Sequence, residues 1–422
     1  MRLLIATDAF PPACGGSGWS TWELGRALRA RGHQIVFVQP RPGSGADGER
    51  HYDGFRIIEI AARAPGVPFV RNYFKNERLW AQLASRLREV ARDDRSDLIH
   101  AQHVLTAPAA VEAAHGLDLP VVCTVRDYWP VCYWGTLIHD PASPTLCPGC
   151  SAAAMTRCLR PRAGAAWPIA LPWIPYMRGN LARKQRALGR ADAIVAVSGA
   201  IKRDLEQRSV ELGRTRIEVI PNPVDVAGLR ERVGTMAPRL SGRYAIFVGK
   251  LEQNKGVAYL LPAVERARLP WPLVVVGEGA ERGRLESGAR AAGRDVRFTG
   301  WLPRDEALAW LAHASLVVFP SYGPESLSRV LLESAVLGVP IAAMNTGGTV
   351  DIVEHDVTGL LSSTPEELSS HVARLVSDRA LSGRLAAGAA AHMERSFDAA
   401  QVAARMEALY ASLLDGKPRR AQ

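Results

Sequence analysis

The segment PSYGPESLSRVLLESAVLGVP carries two carboxylates, Glu325 and Glu333, eight positions apart. Gly323 and Pro324 form a tight turn ahead of the first acid. Leu327, Val330, Leu331 and Ala335 carry a helical apolar period through the second. Eight residues along a helix is a little over two turns, so both acids are expected on one face, about 12 Å apart. Such a pair can grip two ends of one long polar ligand, because a carboxylate accepts hydrogen bonds from hydroxyls. The N–H groups of Ser326, Leu327 and Ser328, at the expected loop-to-helix junction, are suited to a phosphate. An isolated E-x7-E is more often a surface helix with two solvated charges, so the surrounding elements decide.

Those elements are strand, loop, helix, strand and glycine loop. ASLVVFPSYGPE precedes the second acid, and GVPIAAMNTGGTVDIVEHDVTGLL follows it. That is the layout at the carboxyl edge of a parallel sheet, where α/β proteins bind ligands. Apolar runs of strand length recur along the chain, among them Leu3–Ala6, Ile35–Val38, Val121–Val125, Ile194–Val197, Ala245–Val248, Leu273–Val276 and Leu316–Phe319. Helical patterns such as Thr21–Arg31, Asn76–Arg92 and Ala258–Ala267 separate them. Alternation of this kind predicts an α/β protein with doubly wound parallel sheets. Two series are visible, residues 1–215 and 216–395. A Cys-rich insertion of about 130–180 interrupts the first. Residues 396–422 hold a last helix and the tail GKPRRAQ, which reads as disordered.

A chain of 422 residues exceeds the range of a single core, which agrees with two domains. Hydrophobic residues are 47% and charged residues 22%, ordinary for a globular protein. No apolar run is long enough to span a membrane, and MRLLIATDAF lacks the apolar region of a signal peptide. A cytoplasmic place is expected. The net charge of +10 suggests an anionic partner. Nucleic acid is the weaker choice, because no helix-turn-helix, RNP or zinc-finger pattern occurs.

With these segments in hand, the chain resembles the retaining glycosyltransferases of family 4 (glycosyl transferases group 1), which have the GT-B fold. The likeness runs through DAFPPACGGSGWSTWELGRALRARGHQIVFV, DLIHAQH, VVCTVRDYWPVC, RADAIVAVS, VIPNPVD, FVGKLEQNKGVAYLL, VVVGEGAERGRLE and VRFTGWL to PESLSRVLLESAVLGVPIAAMNTGGTVDIV. It implies two Rossmann-like domains with an interdomain cleft: an N-terminal acceptor domain and a C-terminal nucleotide-sugar donor domain. The last helix is expected to cross back to the first domain.

The resemblance also assigns residues. Glu325 matches the acid that contacts the donor hexose, and Glu333 the acid that holds the ribose. Lys250 and Lys255 match the basic pair at the donor diphosphate, and Gly16 the glycine loop that closes over it. Fixed cations and N–H groups there lower the barrier, because the leaving diphosphate gains charge in the transition state. Two positions depart from the pattern. Lys250 stands where relatives have Arg, and Arg126 where many have His. Arginine stays protonated and cannot act as a base. His103, Arg126 and Asp127 are candidate acceptor contacts. The implied reaction is retaining transfer of a sugar from a UDP-, GDP- or ADP-linked donor to an acceptor hydroxyl, in polysaccharide, glycolipid or cell-envelope glycoconjugate synthesis, with no metal in the chemistry.

Three other classes of protein share parts of this pattern. A nicotinamide oxidoreductase fails, because Thr21 stands where G-x-G-x-x-G needs its third glycine. A sugar-nucleotide epimerase shares the architecture but gives no reason for the E-x7-E spacing. A non-catalytic GT-B scaffold would accommodate Arg126 and Lys250.

Cys132, Cys147, Cys150 and Cys158 fall within 27 residues and include a C-P-G-C pair. In a cytosolic protein they suit a structural tetrahedral zinc better than disulfides. Cys123 reads as a buried strand residue, and Cys14 lies in the glycine loop. The aromatic stretch Ala166–Met177, followed by Arg178, Arg183, Lys184, Arg186 and Arg190, has two readings. It could lie on the anionic inner face of a membrane and collect a lipid-linked acceptor, or pack on its own domain beside a solvated basic face.

Overall fold

The computed structural model describes residues 1–43, 45–66, 70–140 and 145–416. The tail from residue 417 on, including Arg419 and Arg420, lies outside the described residues. The chain divides into two units.

The first unit holds β1 (Arg2–Ala6), β2 (Gln34–Pro42), β3 (Gly48–Tyr52), β4 (Phe55–Ala62), β5 (Leu98–Ala101), β6 (Val121–Val125), β7 (Ala193–Ala196) and β8 (Ile217–Val219). Their order in the sheet is β3-β4-β2-β1-β5-β6-β7-β8. Every pair is parallel except the β3–β4 hairpin. Leu3 sits opposite Ile35 on one side and Leu98 on the other. Helices cover both faces, so inner strands such as β6, VVCTV, are buried throughout.

The helix Ala399–Asp415 belongs to this unit. It buries Val402, Ala403, Met406, Leu409 and Tyr410, an i, i+1, i+4, i+7, i+8 stripe, against a core containing Leu3, Ile5, Leu28 and Phe37. The Tyr410 hydroxyl, fully buried, lies 2.6 Å from His100 Nδ1.

The sequence pattern predicts the join at 215/216. The structure places Ile217–Val219 in the first sheet, with Ile217 opposite Ile194. The first unit therefore runs on to Pro223. A three-residue apolar strand carries no mark of which sheet it joins; pairing across the sheet decides.

The second unit comprises Asp140–Leu146 and Val224–Asp398 and holds β9 (Ala245–Val248), β10 (Leu273–Val276), β11 (Val296–Gly300), β12 (Leu316–Phe319), β13 (Ile341–Met344) and β14 (Leu360–Ser362). The order is β11-β10-β9-β12-β13-β14, parallel throughout. Its core packs Phe247, Leu260, Val275, Val318 and Leu368. Each sheet reverses its winding once, between β1 and β5 in the first unit and between β9 and β12 in the second. Such reversals open a crevice at the carboxyl ends of the strands.

Among the described residues, the Cys-rich stretch is irregular up to Ser151 and helical from Ala152 on. Ala152–Ala163 and Ile174–Leu188 are helices, joined by short helical turns at Trp167–Ala170 and Leu171–Trp173. Pro168, Pro172 and Pro175 each stand in the first turn of a segment, where the missing N–H breaks no helical bond. The prolines thus divide the path without unravelling it.

Candidate active site

The donor-side residues gather at the β9–β12 reversal. After β9 the chain passes Lys250, makes the short turn Gln253–Lys255, and enters the helix Val257–Arg266 at Gly256. Gly256 has φ 67°, and a Cβ there would stand 1.8 Å from the Pro320 carbonyl oxygen at the end of β12. Only glycine permits this approach. Lys255 is thereby brought to the loop after β12, where its Nζ donates to Glu325 Oε1 at 2.6 Å. The Ser321 hydroxyl donates to the same oxygen at 2.6 Å. Glu325 is buried, so the carboxylate is held by charge and hydrogen bond together. Its carbonyl accepts from Gly348 N–H at 2.6 Å. Gly347 makes that contact possible, with φ 50° and no Cβ to strike the Glu325 carbonyl.

Two expectations are corrected here. The helix begins at Arg329, with Ser328 at the N-cap position but making no side-chain cap bond, rather than at Ser326. Ser326, Leu327 and Ser328 therefore lie in the loop, and the first-turn amides begin at Arg329. Glu325 is outside the helix, so helical rise does not set its separation from Glu333. Pro324 and the buried Ser321–Glu325 bond hold this stretch as a loop.

Glu333 is also buried and sits between two guanidinium groups, with Arg329 Nε at 2.9 Å and Arg304 Nη2 at 3.2 Å. The i, i+4 spacing of Arg329 to Glu333 was readable in sequence; Arg304, first residue of the helix Arg304–Ala312 that follows β11, was not. Lys250 is three-quarters exposed and stands 3.8 Å from Glu252, without the fixed placement of Lys255.

In the first unit, Gly16 is the first residue of the helix Gly16–Ala30 and is exposed. Its first turn has no acidic residue, so the positive end of the helix is unopposed there. His103 follows β5 and is buried; its Nδ1 lies 3.0 Å from both Asp8 Oδ1 and Thr7 Oγ1. Asp127 follows β6 and accepts from Trp129 N–H at 2.8 Å. Burial pushes the Asp127 carboxyl above its usual range, against the opposing effect of that N–H and of His103.

Arg126 is not an acceptor-facing cation. It is buried, with Nε donating to Asn222 Oδ1 at 2.8 Å and Nη1 to the Gln102 carbonyl at 2.6 Å. The fork ties the ends of β5 and β6 to the segment after β8. Its charge, with burial as the larger cause, keeps His100 neutral, at a pKa of about 3.

Lys184 belongs to no solvated basic face. It is 2% exposed, with Nζ 4.5 Å from the centre of the Trp129 ring. Burial pushes it down to about 8, although the Asp127 and Glu77 charges oppose the shift. Neighbouring residues of the aromatic stretch point inward as well. Ala170, Ile174, Met177 and Leu181 pack with Tyr133, Met155 and Leu159. Pro168, Ile169, Pro172 and Pro175 instead face outward, Ile169 at 80% exposure.

All six cysteines are free thiols. Cys132, Cys147 and Cys150 lie close enough to Cys158 to act on its charge, and burial, as the main cause, pushes Cys158 up to about 12. Yet among the described residues no three His, Cys, Asp or Glu groups are disposed to hold a metal ion. Cys147 Sγ donates to the Gly149 carbonyl at 3.2 Å, and a structural zinc on Cys132, Cys147, Cys150 and Cys158 stays a proposal from the sequence. Cys123 is buried in β6, and burial pushes its thiol to about 12.

Comparison with known proteins agrees with this layout. The model of Glycosyltransferase Family 4 matches residues 14–227, just over half of the chain, and that of Glycosyl transferases group 1 matches residues 242–378. The chain belongs to glycosyltransferase family 4. It is 28% identical over 446 residues to a glycogen synthase of Mycobacterium tuberculosis, covering 99% of this chain and 96% of the relative. Among solved structures, a sucrose-phosphate synthase from Thermosynechococcus elongatus superposes with a TM-score of 0.71 at 19% identity, covering 99% and 100% of the two chains. Anabaena HepE in complex with UDP-glucose gives 0.62 at 19% identity, covering 98% and 100%. The fold is GT-B, and the protein is a glycosyltransferase that moves a sugar from a nucleotide sugar.

Proposed function

We propose that the transfer is retaining and that the second unit holds the donor on Glu325, Glu333, Lys250 and Lys255. The observation that carries this reading is the Lys255–Glu325 pair at the sheet reversal. A fixed ammonium beside a buried carboxylate matches a ligand with an anionic diphosphate next to a hydroxyl-bearing sugar. Lys250, exposed, adds a second charge for the diphosphate, and the loop amides of Ser326–Ser328 supply N–H donors. Glu333, held by Arg304 and Arg329, offers its carboxylate to the ribose diol. The acceptor binds on the first unit, around His103 and Asp127, with Arg126 bracing them. UDP-linked glucose is the first donor to try, since HepE was solved with it. Relatives that build glycogen favour a role in polysaccharide or envelope glycoconjugate synthesis.

Because lysines and amides meet the leaving charge, no metal enters the chemistry. The anomeric proton of the first product, read by NMR, should show the donor's own configuration, and EDTA should leave the rate unchanged. An inverted product, or a rate restored only by a divalent ion, would sink this reading. The proposal includes a peripheral place on an anionic membrane, supported by exposed Ile169 and, further along the same stretch, exposed Arg178. Vesicles of phosphatidylglycerol should pellet the protein and should fail to pellet Ile169→Glu; equal pelleting of both would remove the membrane from the account.

A further inference from the structure

A cavity of about 360 Å³ lies inside the first unit, between the short helix Val70–Tyr73 and the helix Ala152–Ala163. Arg71 and Asn72 line it from the first helix, and Leu159, Arg162 and Ala163 from the second. Trp134, in the stretch after β6, completes the wall. Two of these residues are cations and, among the described residues, no acid lines the cavity.

Arg162 is held in place without being neutralised. Its terminal nitrogens donate to the carbonyls of Ile138 and His139, each at 2.9 Å, and of Cys158 at 3.0 Å. Carbonyls fix the guanidinium plane but carry no net charge. Arg71 is exposed and, among the described residues, is in no ion pair. One turn further on, Lys75 is pushed below its usual range, by burial first and by the Arg71 charge second. Glu77, in the same stretch, does not offset these charges: it accepts from Tyr176 at 3.0 Å, Asn180 at 2.9 Å and Arg183 at 2.5 Å. Cations gathered in this way attract an anion.

Trp134 adds a donor. Its Nε1 is buried and has no hydrogen-bond partner, and the Arg162 Cζ stands 5.1 Å from the centre of its ring. An indole N–H only donates, so what it lacks is an acceptor. A phosphate offers three strong acceptor oxygens on different sides, which suits two guanidinium groups and an indole around one cavity. The remaining wall, Leu159, Ala163 and the Trp134 ring, is apolar, and the cavity is larger than a phosphate alone fills. Past Ala163 the chain turns through Gly164–Ala166 to exposed Ile169. On the other side, Asn72 Nδ2 donates to the Tyr133 hydroxyl at 3.2 Å, and the Tyr133 ring faces Lys184, which feels the Asp127 charge.

We propose that this cavity binds the phosphate of an acceptor that carries a hydrocarbon substituent. Its role for the acceptor rests on the transferase reading above; phosphate binding does not. Arg71, Arg162 and Trp134 hold the phosphate oxygens and take no part in bond making.

Binding is read on the full chain from the indole N–H resonance of Trp134, assigned by its absence from Trp134→Phe. Octyl phosphate, below its micelle concentration, should shift that resonance saturably. Octyl glucoside, with the same tail and no charge, should not. Inorganic phosphate should bind at least about 10-fold more weakly, because it buries no apolar surface. Arg71→Ala should weaken octyl phosphate about 10-fold, the effect of losing one charged hydrogen bond. Arg157→Ala, on the same helix as Arg162 but outside the cavity, should leave it unchanged. In turnover, octyl phosphate should compete with the acceptor and not with the donor. No shift, an equal response to octyl glucoside, or equal affinities in Arg71→Ala and Arg157→Ala overturns the site. Inorganic phosphate binding as tightly as octyl phosphate overturns the hydrocarbon substituent, and competition with the donor alone overturns the acceptor role. If octyl phosphate binds but no nucleotide sugar is turned over, the transferase reading fails and the phosphate site stands; turnover without such binding is the reverse.

Discussion

At the residue scale, the candidate site is built by pairing charges before a ligand arrives. Glu325 is held by Lys255 and Ser321, and Glu333 by Arg304 and Arg329. Buried carboxylates without such partners would protonate, and a protonated acid is a poorer hydroxyl acceptor. Lys184 shows the opposite bias, since burial favours its neutral form. Its folded pKa of about 8 lies below the usual lysine value of 10.5. Between these values the unfolded chain binds the proton and the folded chain does not, so this residue makes stability rise with pH. The gain is lost as pH falls through about 8. Urea midpoints measured from pH 7.5 to 10 should climb for the parent relative to Lys184→Met, which lacks the titrating group. Identical slopes would contradict the burial argument.

The same residues show what sequence could carry. Glu325, Glu333 and Lys255 were legible, because their spacing falls in a local motif. Lys184 was not, because in ARKQRALGR it looks like any of its basic neighbours, and only the packing of Trp129 beneath it sets it apart. Asp8 and Arg304 were missed for a related reason: each meets its partner across the sheet, a relation that no local period records.

At the element scale, positions are set by glycines, prolines and one distant helix. Gly256 lets the loop after β9 lie on the end of β12 and so delivers Lys255 to Glu325. Gly256→Ala meets backbone, which cannot swing aside, and adds left-handed strain. It should cost about 3 kcal/mol of stability in urea unfolding and weaken donor binding with it. A loss under about 1 kcal/mol would mean that the loop has room to move. The strand and helix pattern was readable from periods of two and 3.6, as parallel sheets with buried strands. The start of the helix at Arg329 was not, because Leu327 continues the apolar period while the Ser321–Glu325 bond holds the chain in a loop. The membership of Ile217–Val219 in the first sheet likewise depended on its partner strand.

At the scale of the whole molecule, the chain repeats one device. Two doubly wound sheets each reverse once, and chemically distinctive side chains collect at each reversal: Asp8 and His103 in the first unit, Lys255 and Glu325 in the second. The family assignment makes the protein a glycosyltransferase; the pairing of these residues says how it would work. The most direct measurement is nucleotide release from a panel of UDP-, GDP- and ADP-sugars, with Glu325→Ala beside the parent. The account predicts that one donor is turned over by the parent and that Glu325→Ala lowers kcat/KM by about 100-fold or more, as expected for loss of a charged contact in the transition state. Equal rates for parent and variant would remove Glu325 from the site. No turnover or binding of any donor would contradict the account and leave a GT-B protein that binds without catalysis.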